Sequence, residues 1–293
     1  MSADHFPGFA SHWIDTDAGR IFARSHGAGA PLLLLHGFGE THVAWRSVAP
    51  ALAQNFFVVA MDLRGYGWSV VPDSEKGEAY AKRAMAADAV KVMEEFGHAQ
   101  FALAGIDRGA RVGMRLALDH PGRLSKLAVI NIAPEGDQFG AADLQRVGRA
   151  TLLSSDAPKP ETLIGLDAKG FLEDALTCSS KDKSLDPFAP ALDAYRQAFD
   201  DPARIHAFCE DFRAGAGPDK AALEADKAAG KKILTPTLAV WGEAAFAGEG
   251  PALEAAWRNW AQDLRVATLD CGLWALDEAP ASTGAALEAF FLS

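Results

Sequence analysis

Hydrophobic residues fall into short continuous runs that alternate with longer segments of helical periodicity. A starting hairpin at 9–25, with a turn at 17–19, is followed by apolar runs at 32–35, 56–60, 101–104 and 127–132. Helical patterns occupy 81–95 and the residues that lead up to Leu118. Continuous apolar strands between helices are typical of a parallel sheet that is covered on both faces. We therefore predict an α/β fold with a mostly parallel sheet.

The pattern changes after the fourth parallel strand. Residues 135–231 are helical and polar, broken by prolines, and strand-like runs return only at 234–241 and 264–269 before a closing helix at 281–291. The simplest division is a core of residues 1–134 and 232–293 with a helical cap of residues 135–231. Such a cap would cover the carboxyl ends of the strands, where open α/β sheets bind ligands. The acidic run Leu276-Asp277-Glu278 is expected to cap the final helix.

The composition and net charge argue against several classes of partner. The 293 residues are 49% hydrophobic and 23% charged, which is globular, and the net charge is −11. An acidic chain repels phosphate backbones and anionic membranes, so we expect neither nucleic acid nor a membrane as partner. No phosphate loop, zinc set or dinucleotide fingerprint is present, so no cofactor or metal is expected.

The cysteines and the N-terminal sequence indicate a cellular location. The three cysteines, Cys178, Cys209 and Cys271, are scattered and show neither a disulfide framework nor zinc spacing. The N-terminus lacks the charged and apolar regions of a signal peptide, and no apolar run has transmembrane length. A cytoplasmic protein is the expectation.

The segment Gly105-Ile106-Asp107-Arg108-Gly109 has the spacing of a nucleophile elbow, a sharp turn from a strand into a helix that small residues make possible. Its central residue is Asp107, and a carboxylate is already ionised at neutral pH and needs no base to become a nucleophile. His36-Gly37-Phe38 follows an earlier strand. The main-chain amides of Phe38 and Arg108 are therefore expected to form an oxyanion hole.

Arg108 and Arg111 are three residues apart at the start of the elbow helix. Two guanidiniums beside a helix N-terminus can hold a carboxylate, so we predict that they bind the substrate's carboxylate group. They would offset the negative field of the whole chain locally.

Several motifs make the chain similar to one known family, and they run from Phe6-Pro7-Gly8-Phe9 to the C-terminus. They include Leu33-Leu34-Leu35-His36-Gly37-Phe38, Asp62-Leu63-Arg64-Gly65-Tyr66-Gly67, the Asp107-Arg108-Gly109 elbow, Ile205-His206 and Phe212-Arg213-Ala214-Gly215. With these motifs the chain resembles the fluoroacetate dehalogenases, a branch of the haloalkane dehalogenase group in the α/β-hydrolase fold. The resemblance implies Asp107 as nucleophile, Arg108 and Arg111 as the carboxylate clamp, a helical cap and a homodimer.

The chain departs from that family at the rest of the catalytic triad. The resemblance implies a histidine in the turn after the last strand, where this chain has Leu273. At the position of the triad acid it has the neutral Asn131, and at the other usual acid position it has Ala245. Both partners of the nucleophile are thus substituted.

The leaving-group site departs as well. By the resemblance, the residues that would hold a departing halide correspond to Arg149, Ala150 and Phe212, and Ile106 replaces a histidine of the elbow. Trp68 and Trp274 are expected to face the cavity, where aromatic rings supply stacking or cation–π contacts.

Three functions remain open. The first is a repurposed enzyme in which Asp107 is a base or nucleophile for proton abstraction, elimination, decarboxylation or cyclisation of a small carboxylic acid. The second is a hydrolytic 2-haloacid dehalogenase that forms an aspartyl ester and uses an unorthodox base, for which the candidates are His36, His42, Glu40 and Glu135. The third is a non-catalytic or engineered protein that binds a carboxylate.

Overall fold

One mixed sheet of eight strands forms the centre of the molecule. The computed structural model describes residues 4–134 and 144–293, and the strand order is β1-β2-β4-β3-β5-β6-β7-β8. The strands are β1 (Ala10–Thr16), β2 (Gly19–His26), β3 (Ala30–Leu35), β4 (Phe56–Met61), β5 (Phe101–Ile106), β6 (Leu124–Ile130), β7 (Thr237–Gly242) and β8 (Leu264–Leu269).

Strands β3 to β8 are parallel, whereas β2 pairs antiparallel with both β1 and β4. The four leucines of β3, Leu32 to Leu35, are completely buried, as a strand with helices on both faces requires. The mostly parallel α/β fold predicted from the sequence is confirmed.

Two strand ends differ from the pattern of apolar residues. The run that begins at Leu234 enters the sheet only at Thr237, because Pro236 has no N–H for a ladder, and Leu234 is 61% exposed. The run that continues to Ile132 leaves the sheet after Ile130, because Asn131 adopts the left-handed conformation with φ 55°. Asparagine tolerates this conformation better than most residues do.

Helices cover both faces of the sheet and also fill the interval between β6 and β7. The helices are α1 (Ala49–Leu52), α2 (Lys82–Glu95), α3 (Arg108–Asp119), α4 (Leu144–Leu153), α5 (Lys159–Leu166), α6 (Ala168–Ser179), α7 (Leu192–Ala198), α8 (Pro202–Ala216), α9 (Pro218–Ala228), α10 (Gly250–Arg258), α11 (Ala275–Glu278) and α12 (Pro280–Leu292). Short 3₁₀ helices lie at His42–Ser47, Glu78–Tyr80 and Asp186–Phe188.

Helices α4 to α9, here called the inserted helices, separate β6 from β7 in the chain. Their position after the fourth parallel strand matches the predicted place of a cap. The domain division at 134/135 and 231/232 stays a prediction, and its first boundary adjoins residues 135–143, which lie outside the described part. Within the described ranges, no helix is long and apolar enough to cross a membrane.

Candidate active site

Asp107 lies at the turn between β5 and α3, and its backbone is strained. Its φ of 45° and ψ of −112° are unusual for a residue with a side chain. A β-carbon on Gly105 would come within 2.5 Å of Gly109, and one on Gly109 within 2.5 Å of the main chain of Leu35. Only glycine fits at either position, so the sequence spacing does produce the tight elbow that was predicted.

The carboxylate of Asp107 is held by the loop after β3. The main-chain N–H of Phe38 donates to Oδ2 of Asp107 over 2.9 Å. This amide is the first of the two that were predicted for the oxyanion hole. The second predicted donor, the amide of Arg108, belongs to the first residue of α3, directly after Asp107.

A cavity of about 330 Å³ opens over Asp107. Its wall includes nine of the ten residues that sequence reasoning assigned to the site, namely Phe38, Asp107, Arg108, Arg111, Asn131, Arg149, Phe212, Leu273 and Trp274. Ile106 and Ala150 line it too, together with Glu40. Elements that are far apart in the chain thus meet around the elbow.

Arg108 lies between an aromatic ring and a buried acid, both from α8. Its guanidinium stacks 3.9 Å from the ring centre of Phe212, and its Nε lies 3.8 Å from Oδ2 of Asp211. Asp211 also accepts hydrogen bonds from Lys82 and from the hydroxyl of Tyr66. Burial opposes the ionisation of Asp211, but the positive charges of Lys82 and Arg108 hold its pKa below the usual value. The inserted helices therefore fix the orientation of Arg108.

Arg149 joins the predicted arginine pair at the cavity wall. Its Nη1 donates to Sγ of Cys178 over 3.1 Å and its Nη2 to the hydroxyl of Ser179 over 3.0 Å. Arg108, Arg111 and Arg149 all line the cavity, so three cations from α3 and α4 surround a volume suited to a small anion.

The two substituted triad positions contact each other, but not as an acid and a base would. Nδ2 of Asn131 donates to the main-chain oxygens of Leu273, over 2.7 Å, and of Gly272, over 3.2 Å. Oδ1 of Asn131 accepts from the amide of Gly242 over 2.8 Å. The asparagine therefore holds the backbone of the turn, while the side chain of Leu273 presents hydrocarbon to the cavity.

The two predicted tryptophans lie in different places. Trp274 lines the cavity, and its indole N–H has no hydrogen-bond partner among the described residues. Trp68 is 54% exposed and packs edge-on against Phe22, at a separate surface cavity that His42 also lines. The expectation that Trp68 faces the Asp107 cavity is wrong, because its chain segment follows β4 on the side of the N-terminal hairpin.

Of the four candidate bases, the two histidines form hydrogen bonds with other groups. Nδ1 of His36 bonds to the carbonyl oxygen of Gly37 over 2.8 Å, and Nε2 accepts from the amide of Leu63 over 3.0 Å. Both ring nitrogens are thus used by main-chain groups, and burial lowers the pKa of His36. Nδ1 of His42 lies 2.9 Å from Asp62, and His42 lines the separate cavity and is not among the described residues that line the cavity of Asp107. Glu135 falls outside the described residues.

Glu40 is the candidate base that lines the cavity of Asp107. It is completely buried, its Oε2 accepts from the amide of Gly37 over 2.7 Å, and its Oε1 has no partner in the part of the chain that the structure describes. Burial and the negative charges of Asp277 and Asp107 raise the pKa of Glu40 well above its usual value. The sequence signal for this residue was only its place two residues after the oxyanion-loop phenylalanine.

Asp277 is a buried acid, although the sequence predicted that it caps the final helix. It pairs with Arg46 over 2.7 Å and accepts from the hydroxyl of Tyr195 over 3.3 Å, and burial raises its pKa to about 6. Glu278 accepts from the amides of Gly272 and Trp274. The prediction that 276–278 caps the last helix is wrong, because α12 has no side-chain cap and these acids hold other groups.

The parallel sheet, the strained elbow and the amide that faces its carboxylate together define an α/β hydrolase. Residues 30–280 match the family model of the alpha/beta hydrolase fold, and the chain belongs to this family.

Among its relatives, the fluoroacetate dehalogenase of Burkholderia sp is 37% identical over 291 residues, which cover 97% of this chain and 94% of that protein. The soluble epoxide hydrolase of Corynebacterium sp. (strain C12) is 28% identical and covers 87% of each chain. A solved structure from Nostoc sp PCC 7120, named as an α/β hydrolase, is 42% identical with a TM-score of 0.90, over 97% of this chain and 98% of that one. The resemblance drawn from the motifs is confirmed.

Proposed function

We propose that the protein cleaves the bond between carbon and a leaving group in a small carboxylic acid, through a covalent ester on Asp107. The observation that carries this proposal is the hydrogen bond from Phe38 to Oδ2 of Asp107. It holds one carboxylate oxygen at the amide and leaves Oδ1 as the oxygen that attacks. The name of the fluoroacetate dehalogenase relative supports the same substrate class.

Substrate binding rests on the three arginines of the cavity. A carboxylate there gains charge-assisted hydrogen bonds, and the lower dielectric of a cavity lined by protein strengthens them relative to bulk water. Because Arg108 is stacked on Phe212, its guanidinium plane is fixed before the substrate arrives, and little side-chain entropy is lost on binding.

The chemistry has two steps. In the first, Oδ1 of Asp107 forms a bond to the carbon that carries the leaving group, and the carbon–halogen bond breaks with its electron pair going to the halide. In the second, a water oxygen adds to Cγ of Asp107 while the amide of Phe38 stabilises the oxyanion. The bond between Cγ and Oδ1 then breaks, the hydroxy acid leaves with Oδ1 as its hydroxyl oxygen, the water oxygen stays in the Asp107 carboxylate, and one proton is released in total.

The experiment follows halide release and the mass of the intact protein together. Fluoroacetate and chloroacetate are supplied, and we expect halide release together with a carboxymethyl adduct on a peptide that contains Asp107. A single turnover in ¹⁸O-water should place the label in Asp107 before it appears in the product. Asp107→Asn should form no adduct and release no halide.

A second function is favoured by one observation, namely that, with Leu273 and Asn131 at the triad positions, the described residues that line the cavity include no imidazole. In this alternative Asp107 removes a proton from the substrate, and no ester forms. Exchange of a substrate α-hydrogen for deuterium in heavy water, without adduct or halide, would identify it. Carboxylate binding with neither exchange nor adduct would identify a non-catalytic binding protein.

A further inference from the structure

Two carboxyl groups are held by consecutive main-chain amides of one loop. The amide of Gly37 donates to Oε2 of Glu40 over 2.7 Å, and the next amide, of Phe38, donates to Oδ2 of Asp107 over 2.9 Å. A β-carbon on Gly37 would lie 2.9 Å from Oε2 of Glu40 and 3.4 Å from Oδ2 of Asp107. The two groups therefore flank the same glycine.

One oxygen of Glu40 has no partner among the described residues, although the side chain is completely buried. A buried carboxyl oxygen without a partner is costly, and in native proteins such an atom usually meets an ordered water or a ligand. Glu40 shares the cavity wall with Asp107 and Leu273, so a water that binds the Glu40 carboxyl group from the cavity would lie beside the elbow.

We propose that Glu40 is the catalytic base of this cavity. Its carboxylate binds the hydrolytic water and accepts a proton from that water as the water oxygen attacks Cγ of the Asp107 ester. This inference rests on the proposed function and replaces the missing imidazole by a carboxyl group. Each proton in this step has a donor and an acceptor. Glu40 gains a proton from water, the departing alkoxide takes the proton of the newly formed Asp107 carboxylic acid, and Glu40 then returns its proton to solvent.

The charges around Glu40 give the two steps their order. Asp277, Asp107 and Arg46 face it, and the negative charge of Asp107 is one of the causes that raise its pKa. Esterification removes that charge, so Glu40 releases its proton more readily in the ester than in the free protein. A base thus becomes available at the stage at which water must be activated.

The test compares the wild type with Glu40→Gln, whose amide oxygen still accepts from Gly37 but cannot take a proton at working pH. We expect one equivalent of halide and accumulation of the carboxymethyl adduct, with steady-state release slower by about 10²- to 10⁴-fold. Glu95→Gln, an exposed glutamate on α2, is the matched control and should behave as the wild type. Glu40→Asp, which keeps an ionisable group, should recover part of the loss.

The pH profile separates chemistry from structure. Steady-state release by the wild type should rise with pH as Glu40 ionises, and Glu40→Gln should lack that rise. Turnover of Glu40→Gln at the wild-type rate with the same profile overturns the Glu40 role alone. A wild-type protein that stops after one equivalent supports the ester and overturns the base, whereas one that forms neither adduct nor halide overturns the proposed function and the Glu40 role together.

Discussion

The side-chain amide of Asn131 donates to the main-chain oxygen of Leu273 over 2.7 Å, and the amide of Leu273 donates to the carbonyl oxygen of Ser179 over 2.9 Å. The turn at Leu273 is therefore fixed on both sides, once by the end of β6 and once by the end of α6. A neutral donor at 131 suits a turn that offers carbonyl oxygens.

This relationship predicts how the triad can be rebuilt. Asn131→Asp alone should lower the free energy of unfolding by about 1–3 kcal/mol, because a carboxylate would face two carbonyl oxygens and lose two donated bonds. When Asn131→Asp is combined with Leu273→His, the new carboxylate can accept a hydrogen bond from the imidazole N–H. We expect the double variant to release halide between about 10²- and 10⁴-fold faster than Leu273→His alone, since an unoriented imidazole is a poor base.

Chemical denaturation and steady-state halide release measure both effects. Leu273→Met, which conserves volume and carries no base, is the control and should leave the rate unchanged. Equal rates for the single and double histidine variants would contradict the coupling.

Gly37 is predicted to be required for the site and not for the fold. An added β-carbon at Gly37 would lie 2.9 Å from Oε2 of Glu40 and 3.0 Å from Cβ of Asp107, so both carboxyl groups must move. Displacement of about 1 Å at a reacting group costs about 10²-fold in rate. Because these contacts call for shifts of a few tenths of an ångström, we expect Gly37→Ala to lose up to about 10-fold in rate while its circular dichroism spectrum is retained.

Gly165, on α5, has nothing within 4 Å of an added β-carbon and gives the matched control. Gly165→Ala should keep full activity and gain up to about 1 kcal/mol of stability from helix propensity. A fully active Gly37→Ala would mean that the two carboxyl groups tolerate displacement.

Arg149 is predicted to contribute to the affinity for carboxylates. Arg149→Gln removes one of three cations at the cavity, and hydrogen bonds to charged groups are worth about 1.5–3 kcal/mol, so we expect about 10- to 100-fold weaker binding of glycolate. Calorimetric titration measures the change, and Asp107→Asn can serve as background to prevent turnover. The exposed Arg258, paired only with Glu254 among the described contacts, gives the control Arg258→Gln. Unchanged affinity in Arg149→Gln would remove it from the clamp.

The buried acid Asp277 predicts a particular pH dependence of stability. Burial raises its pKa from 3.8 to about 6, so between these values the folded protein holds a proton that the unfolded chain has lost. Its contribution to stability is complete below the lower value and is lost as the pH rises through about 6. Urea denaturation from pH 4 to 7 should show a shallower decline for Asp277→Asn, while the exposed Asp73→Asn should follow the wild type. An identical slope in Asp277→Asn would show that the acid does not titrate in this window.

The sequence predicted the sheet and the elbow because those features depend on local spacing. Apolar runs located the strands, and Gly105 and Gly109 located Asp107. It did not predict which acids are buried. Asp277 and Glu40 are each followed directly by another polar residue, Glu278 and Thr41, and their burial depends on helices and loops that pack from distant parts of the chain. Trp68 was misplaced for the same reason, since its neighbour in the sequence, Gly67, gives no indication of which side of the sheet the loop follows.

The contact between Lys82 and Asp211 has a consequence for recombination among relatives. Lys82 belongs to α2 of the sheet layer, whereas Asp211 belongs to the inserted helices, and both side chains are at least 97% buried. Loss of one partner of a buried pair costs up to about 3–5 kcal/mol, and without Asp211 the ammonium of Lys82 would keep only its longer contact with Asp219, at 3.3 Å. A chimaera that received its inserted helices from a donor without an acid at position 211 would inherit that cost together with a displaced Arg108. Inserted helices that are transferred between relatives must therefore carry an acid at position 211. In libraries of shuffled relatives, active members should retain Lys82 and Asp211 together.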